Sequence, residues 1–188
     1  MSDHQFLKSY LEDLSDLLKP KDDIIKKLIQ VNDLLLDVNK NNKKTLIFGN
    51  GGSAAMASHF SVDLTKNAGL RCVNFNEADL ITCFANDYGY ECWVEKSVDF
   101  YGDTGDLLIV ISSSGRSENM LNGVKAARIG KFRSVVTFSG FAEDNPLRQL
   151  GDINLWVNSR AYNFVENIHQ VWLLAIVDLI IGSREYSA

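Results

Sequence analysis

The chain has 188 residues, 46% of them hydrophobic, and a formal net charge of −5. That is enough apolar sequence for one domain with its own core. The negative balance argues against direct binding of nucleic acid, whose phosphates reward clustered Lys and Arg.

Phe6, Tyr10, Leu14 and Leu17 recur at spacings of four and three, predicting a helix over residues 3–18. Pro20 suits a helix start. The helix it introduces carries Ile24, Leu28, Val31, Leu35 and Val38 as a coiled-coil-like stripe. That stripe packs either on the rest of the domain or on a partner's helices. The lysines at 19–27 and 40–44 flank it as a solvated face. From residue 44 onward short β-type runs alternate with helical ones. Strands are expected at 44–48, 71–75, 107–111, 134–138 and 153–157, and helices near 53–67, 77–85, 90–101, 117–130 and 162–182. Apolar strands separated by helices predict an α/β fold, a parallel sheet covered on both faces. The segment 171–181 is apolar on nearly every side, so the last helix is expected to be buried all round, at the centre of an oligomer. Asp178 interrupts it and it is short for a bilayer, so no membrane is expected. The charged start lacks the apolar core of a secretory signal. Cys72, Cys83 and Cys92 form no C-x-x-C pair. A cytoplasmic protein with reduced thiols is therefore expected.

Two loops share one layout. Gly49-Asn50-Gly51-Gly52-Ser53 and Ser112-Ser113-Ser114-Gly115-Arg116-Ser117 each follow an apolar strand and open a helix. Glycine admits a close backbone, free N–H groups at the helix start face an anion, and serine hydroxyls add donors. Two such loops suggest one phosphorylated ligand held beyond the carboxyl ends of the strands. One serine satisfies a helix cap, and the second loop carries three more. Arg116 either contacts the phosphate or points to solvent. A rival reading exists, because Gly49-x-Gly51-x-x-Ala54 fits the dinucleotide fingerprint. That motif wants an acidic residue after the second strand, where Asn74 and Asn76 stand instead. No nucleotide cofactor is expected.

With these loops the chain resembles the sugar isomerase (SIS) domain family, and within it the phosphoheptose isomerases. The resemblance rests on Gly49-Asn50-Gly51-Gly52-Ser53-Ala54-Ala55, His59-Phe60-Ser61-Val62-Asp63-Leu64, Asn86-Asp87-Tyr88-Gly89, Gly105-Asp106-Leu107-Leu108, the serine loop, and Val165-Glu166-Asn167-Ile168-His169. It implies a single domain over 1–188, with an N-terminal helical hairpin (1–42) and a three-layer α/β core (43–188) around a five-stranded parallel sheet. It also implies a homotetramer with sites at subunit junctions. The phosphate of a ketose or aldose phosphate would be held by Ser53, Ser112, Ser113, Ser114 and Ser117. Gly51 and Gly52 would shape the loop, and Asn50 and Asp87 would lie near the sugar. The activity implied is conversion of sedoheptulose 7-phosphate to a glycero-manno-heptose 7-phosphate for surface polysaccharide. The family also contains non-catalytic phosphosugar binders, such as the proteins that associate with the replication initiator DnaA.

An aldose–ketose isomerase moves a proton between adjacent carbons through an enediol, which needs a general base. The phosphoheptose isomerases carry a His and a Glu four residues apart, a Gln, and a distal His, all able to bind zinc. Here these positions read His59, Asp63, Glu166 and Leu174. Asp63 is one methylene short of the family's glutamate, and Leu174 can neither bind metal nor move a proton. His169, three residues after Glu166, is the candidate replacement, since the two are expected on one helix face. Glu166 is thus the expected base, assisted by His169 or His59. Zn²⁺ held by His59, Asp63 and Glu166 is the possible cofactor.

Overall fold

The computed structural model describes residues 1–186. Five parallel strands, β1 (Thr45–Gly49), β2 (Cys72–Val73), β3 (Leu107–Ser112), β4 (Ser134–Ser139) and β5 (Ile153–Trp156), form one sheet in the order β2-β1-β3-β4-β5. The helices are α1 (Asp3–Leu18), α2 (Asp22–Lys40), α3 (Gly52–Lys66), α4 (Ala78–Tyr88), α5 (Trp93–Tyr101), α6 (Glu118–Ile129), α7 (Pro146–Leu150) and α8 (Tyr162–Ile181). Because successive strand residues face opposite ways, the sheet feeds two cores. Ile47, Ile109, Ile111, Val136 and Phe138 pack under α2, α3 and α8. Leu46, Phe48, Leu108, Val110 and Val135 pack under α5 and α6. The three-layer α/β architecture is the one expected.

Carboxylates pin the amino ends of the strands. Buried Asp106 accepts the N–H groups of Lys44 (3.0 Å) and Asp103 (2.9 Å) and pairs with the Lys44 ammonium at 2.7 Å, which ties β1 to β3. Asp152 takes Arg128 through both oxygens, together with the Val135 N–H and the Ser134 hydroxyl, tying β4 to β5.

Several elements differ from expectation. β2 is two residues long rather than five, because the asparagines after it turn onto α3. Asn74 Nδ2 donates to Ser61 Oγ at 2.6 Å, and Asn76 Nδ2 donates to Ala54 O at 2.9 Å. The single helix expected at 90–101 is a 3-10 turn (Tyr90–Cys92) followed by α5, since Gly89 at φ 92° breaks the path from α4. α7 has no counterpart in the expected elements, although Asn145 caps it and Pro146 opens it. The stripe on α2 is used within the domain: Val31, Leu35 and Val38 are buried, and Ile24 and Leu28 pack against the same core. α8 carries Val165, Ile168, Trp172, Leu173, Ile176 and Val177 into that core, and within one chain the rest of its apolar surface stays open. Val171 (47% exposed) and Leu179 (51%) form an open apolar stripe along its other side. By length and composition α8 is apolar enough to cross a bilayer, and here it is a core helix of the domain.

Candidate functional site

β1 and β3 are neighbours in register, with Gly49 opposite Ile111, so the two loops that follow them lie side by side. The chain runs outward in opposite directions from this pair, to β2 on one side and to β4 on the other. That is the switch point at which open α/β sheets leave a crevice for ligand. The cleft there is lined by Asn50, Ser53, Ile111, Ser112, Ser113, Ser114, Ser117, Tyr162 and Glu166. Gly52, Met56, Asn167 and Gln170 extend it past Glu166.

Glycines shape both loops. Gly51, at φ 55°, is the N-cap of α3 and has no side chain to cap it; the Ser53 and Ala54 N–H groups close onto Asn50 O and Gly51 O, both at 3.0 Å, in a tight first turn. A Cβ on Gly52 would lie 2.8 Å from the carboxyl carbon of Glu166, so glycine here lets α8 bring its carboxylate onto the loop.

The hydroxyls are not spent on capping. Ser117 is the N-cap of α6 but makes no capping bond; its Oγ instead lies 3.2 Å from Ser112 Oγ. Ser113 Oγ is buried with no hydrogen-bond partner. An unpaired buried hydroxyl costs about 1–3 kcal/mol, and an oxyanion in the cleft would remove that cost. Ser53 is buried in the first turn of α3, and Ser114 Oγ accepts the Arg116 N–H at 3.3 Å. Behind the loop stands Asn145, which sequence reasoning missed. Its Nδ2 donates to Gly140 O (3.2 Å) and Ala142 O (2.8 Å), its Oδ1 accepts Arg148 N–H (2.9 Å), and Leu147 N–H reaches Gly115 O (3.1 Å). The Asn-Pro pair just before a short apolar run was the available signal.

Asn50 is held from two sides. Its Oδ1 accepts the Tyr90 hydroxyl (3.0 Å) and Asn119 Nδ2 (2.9 Å), while its Nδ2 donates to Asn119 Oδ1 (3.1 Å). Neither Tyr90 nor Asn119 was singled out from sequence.

The remaining expected residues divide. His59 and Asp63 sit together on α3, Nε2 to Oδ2 at 3.3 Å, and Gln170 of α8 donates to His59 Nδ1 at 3.0 Å. This places the imidazole proton on Nε2, toward Asp63. Gln170, one turn beyond Glu166, is another residue that the sequence reading did not pick. His169 is a correction. It is fully buried, its Nε2–H donates to Ser139 O at 3.1 Å, and its ring packs edge-on against Phe138. Burial pushes its pKa down to about 4, against the raising effect of the Ser139 carbonyl. A three-residue step along a helix turns the side chain by roughly 60°, and here that step carries it from the cleft into the core. Asp87 and Arg116 are exposed and outside the cleft lining, with Asp87 accepting Asn86 Nδ2 at 2.8 Å. Among the described residues no three His, Cys, Asp or Glu side chains converge as a metal cage. Glu166 does not join the His59–Asp63 pair, so the donors of one chain do not fit the expected zinc site.

The sheet order and the paired loops place a hydroxyl-lined cleft at the carboxyl edge of the sheet. The SIS domain family matches residues 5–135, and the chain belongs to that family. Among curated relatives, the phosphoheptose isomerase of Helicobacter pylori strain 26695 is 31% identical over 186 residues, covering 96% of each chain. That of Aliarcobacter butzleri is 31% identical over 180 residues, 93% of this chain and 94% of the other. Among solved structures, the phosphoheptose isomerase of Neisseria gonorrhoeae superposes with a TM-score of 0.88 at 27% identity, covering 95% of this chain and 99% of that one. The Francisella tularensis enzyme gives 0.86 at 26% identity, covering 97% and 100%.

Proposed function

We propose that the protein interconverts a ketose and an aldose phosphate, with sedoheptulose 7-phosphate and a glycero-manno-heptose 7-phosphate as the pair, in the cytoplasm and for surface polysaccharide synthesis. One observation carries this reading: a single cleft joins a cluster of serine hydroxyls, with Ser113 Oγ buried and unpartnered, to the carboxylate of Glu166. The hydroxyls of Ser53, Ser112, Ser113, Ser114 and Ser117, at the positive end of the α3 dipole, hold the phosphate. Glu166 removes the proton from one carbon of the open-chain sugar and returns it to the next through the enediol. His59, oriented by Gln170, is the histidine available to assist ring opening, since His169 is in the core. A binder of anionic sugars with no chemistry gains nothing from a carboxylate beside its ligand. The phosphoheptose isomerase relatives point the same way.

We also propose a homotetramer. Its support is the apolar surface one chain leaves open: Val171 and Leu179 on α8, Ile25 and Ile29 on α2, and Phe6 and Leu11 on α1.

Proton exchange tests the activity. Sedoheptulose 7-phosphate incubated with the protein in deuterated water should gain label at the carbon next to the carbonyl, followed by NMR. No label with any ketose phosphate would favour the non-catalytic phosphosugar-binding reading.

A further inference from the structure

Asn50 lines the same cleft as Glu166, and its carboxamide is almost fully committed. A carboxamide oxygen has two lone pairs and the nitrogen two hydrogens. Tyr90 and Asn119 occupy both lone pairs of Oδ1, and Asn119 takes one of the two hydrogens. What Asn50 retains is one N–H donor and no acceptor. The partners are themselves anchored: Asn119 is buried on α6, and the turn carrying Tyr90 is tied to α6 by Asn122 Nδ2 donating to Glu91 O at 3.1 Å.

We propose that Tyr90 is a positioning residue that fixes Asn50 as a hydrogen-bond donor toward a sugar oxygen beside the reacting carbons. The inference rests on the isomerase reading given above and deepens it. The oxygen that such a donor serves is an acceptor, the open-chain carbonyl, which gains negative charge as the enediol forms. A donor held in place before the reaction stabilises that charge without having to reorganise. Losing the Tyr90 hydroxyl frees a lone pair on Asn50 and leaves the carboxamide held from the Asn119 side alone. The loss should fall on kcat more than on KM, because the interaction strengthens in the transition state.

The test is a double-mutant cycle on the full chain with sedoheptulose 7-phosphate. Tyr90→Phe should lower kcat about tenfold with KM within twofold and Tm unchanged. Asn50→Asp, which keeps the shape and removes both N–H donors, the free one and the one that Asn119 accepts, should lower kcat further. Adding Tyr90→Phe to Asn50→Asp should then change kcat less than twofold. Equal losses in both backgrounds, or no loss for Tyr90→Phe alone, overturn the proposal. A measurement free of substrate runs beside it, on the side-chain amide resonances of Asn50 in ¹⁵N-labelled protein. Tyr90→Phe should shift them, and unchanged resonances overturn the proposal whatever the activity. If the parent isomerises nothing, while sedoheptulose 7-phosphate still moves the Asn50 resonances in the parent and not in Tyr90→Phe, then positioning stands and the isomerase reading falls.

Discussion

The burial of His169 makes a quantitative prediction about acid stability. The imidazole is neutral in the folded state, with its pKa pushed down from 6.5 to about 4 by burial. The unfolded chain therefore binds a proton between these values that the folded chain refuses. Stability is unaffected by this group above pH 6.5, falls as the pH drops through the window, and stops falling below about 4. The gap is worth about 3 kcal/mol in full, most of it lost by pH 4.5. His169→Phe removes the titration. At pH 7 its effect should be small, about 1 kcal/mol: Ser139 O keeps the Val157 N–H at 2.9 Å, and the unpartnered Nδ1 disappears with the ring. Urea unfolding of both proteins at pH 7 and 4.5, followed by circular dichroism, isolates the term, because other titrating groups contribute to both. The variant should lose roughly 2–3 kcal/mol less than the parent. Equal losses would show that His169 is not held neutral in the core. His169→Phe should also keep turnover within several-fold; a hundredfold loss with native structure would return His169 to the chemistry.

Ser113→Ala and Ser53→Ala should each weaken sugar-phosphate binding by about 1.5–3 kcal/mol by calorimetry without unfolding the protein, and the dephosphorylated sugar should hardly bind; unchanged affinities would refute the serine cradle. Glu166→Gln keeps the shape and removes the base, so deuterium exchange should vanish at unchanged affinity, whereas full exchange in the variant would move the base to Asp63. Gly52→Ala places a methyl group against the Glu166 carboxylate, and should lower kcat at least tenfold with little change in Tm. Light scattering at micromolar concentration should give a tetramer, and a monomer with native circular dichroism would contradict the assembly.

The alternation of apolar strands and helices was legible in the sequence because it follows from local period. A strand buried on both faces reads as a continuous apolar run, and an amphipathic helix as a stripe. The two serine–glycine loops were legible for the same local reason, as were the glycines that keep them small. Strand order was not, because nothing local says that β1 lies beside β3 rather than β2 alone. That adjacency is set by packing of the whole sheet, and it turns two loops about sixty residues apart into one cleft. The face on which each side chain of α8 emerges was likewise a tertiary matter. Glu166 and His169 are three residues apart, and only the docking of α8 on the sheet sent one to the cleft and the other to Ser139. Tyr90, Asn119, Gln170 and Asn145 act through partners at sequence separations of 40, 69, 111 and 5 residues. For the first three, the fold creates the proximity that gives the residue its role. Asn145 was within reach of local reasoning, since a cap and a following proline are short-range signals, but its support of the serine loop depends on α7 packing beneath Gly115.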